Sequence, residues 1–94
     1  DKPVIPEKNK VLTGSLAVSD WTDETGGFKQ TLTISGLAAT GYTYTVYPDS
    51  AQYKVWMEAG MYADDVATAN SITFHCIIKP TAAVTVNIKK EQVE

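Results

Sequence analysis

The sequence predicts a mainly β domain, a small antiparallel, jelly-roll-like β-sandwich of five to six short strands with one short helix at about 49–60. Three observations lead there. Several runs rich in Val, Ile, Thr and Tyr alternate apolar and polar side chains, the period of a half-buried strand. Gly-, Pro- and Asp-bearing turns separate these runs at the short intervals of a sandwich. Only one segment, DSAQYKVWMEAG, carries a helical period instead.

Along the chain, residues 1–10 (DKPVIPEKNK) hold two prolines and five charges with neither period, which reads as an extended lead-in or linker. A single sandwich domain is expected over 11–94. Val11 to Val18 (VLTGSLAV) is the first strand candidate, with Gly14 as a weak point or bulge. Ser19 to Gly27 (SDWTDETGG) is turn-rich and acidic, and its Gly pair supplies the positive φ of a reversal. In Phe28 to Ser35, Phe28, Leu32 and Ile34 share one face, with Gln30 the exception to the alternation. After the GLAATG turn, Tyr42, Tyr44 and Val46 share a face of YTYTVY, leaving Tyr47 on the other.

Pro48 closes that strand. Asp49 and Gln52 have capping-box spacing, and Gly60 sits where a helix C-terminus wants a left-handed residue. Between them Ala51, Val55 and Ala59 recur every four residues, widened by Tyr53, Trp56 and Met57, as in a helix laid on a sheet. Met61 to Val66 is a short strand candidate. In SITFHCII, Ile72, Phe74, Cys76 and Ile78 share a face, leaving Ile77 on the opposite one. In the closing strand Val84, Val86 and Ile88 point inward, and these last two strands are expected to pair antiparallel.

Composition narrows the function classes. A chain of 94 residues with 44% hydrophobic and 20% charged residues suits one folded domain. It buries only about two-thirds of its unfolded surface, so subunit association would add needed stability. No apolar run approaches the ~20 residues of a spanning helix, so no membrane partner is expected. Eight lysines, no arginine and a net charge of −3 argue against nucleic acid, because the bidentate reader of phosphate and guanine is missing. A start at Asp1 without a signal-like segment suggests a domain of a longer protein.

No catalytic residue, metal site or cofactor is assigned. His75 and Cys76 are neighbours on a strand, so their side chains face opposite ways and cannot share an ion or act as base and nucleophile. The acidic groups Asp20, Asp23, Glu24 and Asp64, Asp65 read as solvated loop charges rather than a Ca²⁺ loop or a glycosidase pair. Aromatic residues are the better lead, since their broad faces suit sugars and protein partners. Trp56 is placed in the core, whereas Trp21, in the acidic loop, and Tyr47 are the candidate contact residues. Ile77 joins them as an apolar residue on a face that would otherwise be wet, and Tyr47 and Ile77 are assigned to a subunit interface.

Four motifs, the Trp before the second strand, QTLTISGL, the aromatic-EAG helix end (Trp56, Glu58, Ala59, Gly60), and NSITF followed by KPTAAVTVNI, resemble the small C-terminal β domains of tailed-phage virion proteins of Gram-positive hosts. The resemblance spans about Trp21 to Ile88. It implies a non-enzymatic domain on a tail or head fibre or a capsid decoration, homotrimeric, in contact with other virion proteins and with a bacterial surface glycan or receptor. It carries over no catalytic residues. Upstream, the chain has a Pro- and charge-rich lead-in where such proteins often have collagen-like Gly repeats. The alternative reading is a carbohydrate-binding or adhesin-type module of a Gram-positive surface protein, located at the cell surface rather than on the virion.

Overall fold

A computed structural model describes residues 9–92 of the chain. Seven strands and one helix follow in the order β1 (Asn9–Leu16), β2 (Thr22–Glu24), β3 (Gly27–Thr33), β4 (Tyr42–Pro48), α1 (Tyr53–Ala59), β5 (Tyr62–Ala63), β6 (Ser71–Cys76) and β7 (Val84–Gln92). Single 3-10 turns at Val18–Asp20 and Ser50–Gln52 precede β2 and α1. Of the expected lead-in, residues 1–8 lie outside the described residues, while Asn9 and Lys10 already pair with Glu91 and Lys90. No helix among the described residues is long and apolar enough to cross a membrane.

The strands form two antiparallel sheets, β1-β7-β4 and β2-β3-β6-β5, packed as a small β-sandwich. One strand exceeds the expected count. The acidic segment read as a turn contains β2, which folds back on β3 through Thr25-Gly26, with Gly26 at a φ of 88° that side chains on L-residues resist. The expected pairing of the last two long strands does not occur. β6 pairs with β3 and β5, whereas β7 pairs with β1 and β4, so the Lys79-Pro80 turn carries the chain from one sheet to the other. Alternation fixes which face a residue occupies but says nothing about which strand lies beside it.

The inner faces follow the alternation closely. Val84, Val86 and Ile88 of β7 are fully buried, as are Phe74 of β6 and Leu16 of β1, with Ile72 and Cys76 nearly so. Phe28, Leu32 and Ile34 pack against this core from β3 and its end, and Tyr44 and Val46 from β4. Gln30, the polar residue in the apolar row, is buried too. Its carboxamide accepts from the Ala17 N–H at 3.1 Å and donates to the Ala17 carbonyl at 3.0 Å, so both halves of a buried amide are satisfied. Ile78 departs from the expected inward row. β6 ends at Cys76, and the amides of both Ile77 and Ile78 bond to the carbonyl of Ala59, which leaves both side chains 62% exposed.

Between β4 and β5 the helix crosses from one sheet to the other, so the strands around it do not form a βαβ unit. Its capping box does not close. Asp49 accepts instead from the Asn87 side-chain N–H at 2.7 Å, and Gln52 from the Thr85 amide at 3.3 Å, so both side chains fasten the helix entry to β7. Gly60 ends α1 as expected, left-handed at φ 68° with its amide on the Met57 carbonyl. Ala59 is the buried residue of the helix and Val55 and Trp56 pack on the core, while Ala51, Tyr53 and Met57 face solvent.

Two substitutions test this core. Phe74, unexposed and edge-on to Trp56 at 6.2 Å between ring centroids, anchors β6 to the helix. Phe74→Ala is expected to cost about 3–5 kcal/mol in urea unfolding, a large share of the ~5–15 kcal/mol that holds a domain together. Gly27→Ala is expected to lower the melting temperature sharply, because a Cβ there would be driven into the backbone carbonyl of Cys76.

Candidate functional site

The three contact residues expected from sequence occupy separate places. Trp21 is not an exposed loop residue: it is 6% exposed and belongs to the core. The 3-10 turn over Val18–Asp20 turns the chain so that the indole enters between the sheets, and its Nε1–H finds no acceptor among the described residues. Such a buried orphan donor costs about 1–3 kcal/mol, so Trp21 serves packing through its area and not through a hydrogen bond. Tyr47 is exposed on the outer face of sheet β1-β7-β4, opposite Asn87. Ile77 is exposed beside the end of α1, its side chain against Gly60.

A constellation that the sequence did not reveal lies on the outer face of the other sheet. Register places Lys29, His75 and Tyr62 in one row across β3, β6 and β5. Tyr62 stacks on the imidazole at 5.0 Å between centroids. Glu24, from the edge strand β2, reaches His75 Nδ1 at 2.6 Å, and Asp64, just past β5, reaches Nε2 at 2.7 Å. The two acidic groups that looked like unrelated loop charges thus meet at the single histidine. Sequence offered one usable signal, the outward position of His75 on its strand; the carboxylates come from segments 40 residues apart, a separation that no local pattern spans.

The chemistry of this cluster is proton holding. Ionised carboxylates only accept hydrogen bonds, so two of them on opposite ring nitrogens require both nitrogens to donate, which is the imidazolium form. The bonds to Asp64 and then Glu24 raise the His75 pKa above its ordinary value of about 6.5, overcoming the opposing effect of partial burial. The nitrogens diverge, so the carboxylates cannot converge with the ring on one ion, and no group of His, Cys, Asp and Glu suited to a metal occurs among the described residues. Cys76 points the other way, into the core, where burial pushes its thiol pKa up.

The second feature is a cleft. β4 and β5 are the free edges of their sheets on the same side of the sandwich, and between them opens a cavity of about 690 Å³. Tyr42, Tyr44 and Val46 of β4 line one wall; Trp56 and Met61 lie at the helix end, and Asp64 and Asp65 follow β5. The Tyr44 hydroxyl is fixed, accepting from the Ala38 amide at 2.8 Å and donating to its carbonyl at 3.2 Å. The Lys90 ammonium lies 4.2 Å from the Tyr42 ring centroid and donates to the Gly36 carbonyl at 2.7 Å, so a buried lysine keeps its charge satisfied beside the cleft wall. Aromatic faces and carboxylates together suit a ligand with apolar C–H surfaces and hydroxyl donors. Comparison with protein families, curated proteins and solved structures finds no match to this chain.

The raised His75 pKa sets a stability profile. A group whose pKa is higher folded than unfolded stabilises fully below its unfolded value, near 6.5, and that contribution is lost as pH rises through the folded value. Urea unfolding between pH 5.5 and 8.5 is expected to show stability falling with pH, and His75→Gln is expected to flatten the slope. An unchanged slope in the variant would assign the pH dependence to other groups.

Proposed function

We propose that this chain is a non-enzymatic attachment domain of a tailed-phage virion, carried on a fibre or capsid decoration and working through contact with symmetry mates and with the host surface. One observation carries the reading: large apolar side chains stand uncovered around α1. Tyr53 and Met57, one turn apart on its outer face, and Ile77 and Ile78, hydrogen-bonded to its last residue, are all more than half exposed. Apolar surface gathered in one region of a small domain is what an assembly covers. The resemblance in QTLTISGL, WMEAG, NSITF and KPTAAVTVNI points the same way, to a homotrimer.

The cleft favours a second reading, a carbohydrate-binding or adhesin-type module at a Gram-positive cell surface. The two readings are compatible where a virion domain also grips a host glycan, and in both the cleft is the ligand site.

Light scattering behind size exclusion, over a range of concentrations, separates them. A mass three times the 10.2 kDa chain is expected, with Ile77→Glu or Met57→Lys shifting it toward the monomer while the circular dichroism of the fold is kept. A parent protein that stays monomeric throughout would remove the assembly reading and leave the binding module. Glycan binding is then read by NMR with cell-wall polysaccharide fragments, where Tyr42 and Trp56 signals are expected to shift, and Tyr42→Ala to weaken binding about tenfold.

A further inference from the structure

The cleft and the histidine cluster share a residue. Asp64 lines the cleft and also bonds His75, and its backbone amide donates to the Thr73 carbonyl at 2.9 Å, fastening the segment after β5 to β6. The groups facing the imidazole are Glu24 from β2, Asp64 and Tyr62 from the β5 region, and Lys29 from β3. We propose that His75 is a proton-operated latch on the cleft: as imidazolium it holds the Asp64 wall in place, and on losing a proton it releases the Asp64 carboxylate to the cleft. This inference rests on the reading of the cleft as a ligand site.

The geometry decides which bond breaks. A neutral imidazole has one N–H, so one nitrogen would present its lone pair to a carboxylate at under 3 Å, a repulsive contact. The Asp64 side chain is 54% exposed and that of Glu24 25% exposed, so Asp64 moves into water more cheaply and Glu24 keeps the remaining N–H. Lys29, the exposed register partner of His75 on β3, is the cation of this row, and the two carboxylates set the direction of the His75 shift. Once freed, Asp64 stands beside Asp65, which has no ion-pair partner among the described residues, and the cleft gains a second unpaired carboxylate. Hydroxyl donors of a bound glycan would then meet two acceptors instead of one.

The test is an NMR pH titration of the whole chain from pH 5 to 9.5. The His75 ring is expected to titrate with a midpoint above 6.5, and the amides of Ala63, Asp64 and Asp65 to move with that same midpoint. Asp64→Asn is expected to lower the midpoint and abolish the movement after β5; Glu24→Gln is expected to lower the midpoint but keep that movement. A His75 that titrates at or below 6.5, or amides that stay still while it titrates, would overturn the latch. A glycan probe adds the functional arm: affinity is expected to rise about threefold or more from pH 6 to pH 9, the scale of one exposed charge interaction, and to be level in Asp64→Asn. Level affinity in the parent protein would also overturn the latch. Should no glycan bind at either pH, the ligand reading fails by itself and the titration alone decides the latch.

Discussion

The constraint on which the structure depends is the placement of β7. β7 is the centre of its sheet, with β1 on one side and β4 on the other, so among the described residues neither of those strands has a sheet partner until β7 joins them from far along the chain. Val84, Val86 and Ile88 then complete the core, all three without exposure. The helix entry depends on the same strand, since Asp49 and Gln52 spend their polar atoms on Asn87 and Thr85 and not on a cap. Closing this sheet therefore costs loop entropy before any of its own strand contacts repays it, unlike the local β2–β3 hairpin of the other sheet.

The other sheet is closed differently. β3 and β6 are its two central long strands, and its outer strands are short, three residues in β2 and two in β5. Edge strands of that length contribute few ladder bonds, and side chains supplement them. Glu24 and Asp64 fasten the two edges to His75 in the middle, with Tyr62 stacked over the ring. The interior is held by packing and the edges by one charged centre, so the second is open to solution conditions in a way the first is not.

The open side of the sandwich follows from the topology. β4 and β5 end their sheets without a strand to join them, and the helix between them covers only part of the gap. Core side chains such as Tyr44, Val46, Trp56 and Ile72 therefore line a cleft and are not sealed by a further strand. Short edges, a bulky aromatic lining and nearby carboxylates are products of one architectural fact.

The sequence by itself determined the class of fold, the helix and its Gly60 stop, and the inward faces of four strands, because alternation at period 2 and a left-handed C-terminal glycine are local consequences of backbone geometry. It also placed His75 and Cys76 on opposite faces for that reason. Tertiary structure alone decided what depends on distance along the chain. Trp21 is buried in the core shared by both sheets, a placement its acidic sequence neighbours do not signal. Asp49 and Gln52 abandon their capping box because Asn87 and Thr85 offer partners that the local spacing does not contain. β6 and β7 part into different sheets, and Glu24 and Asp64 meet at one imidazole, because strand order is chosen by burial over the whole core, and no short window of sequence encodes that choice.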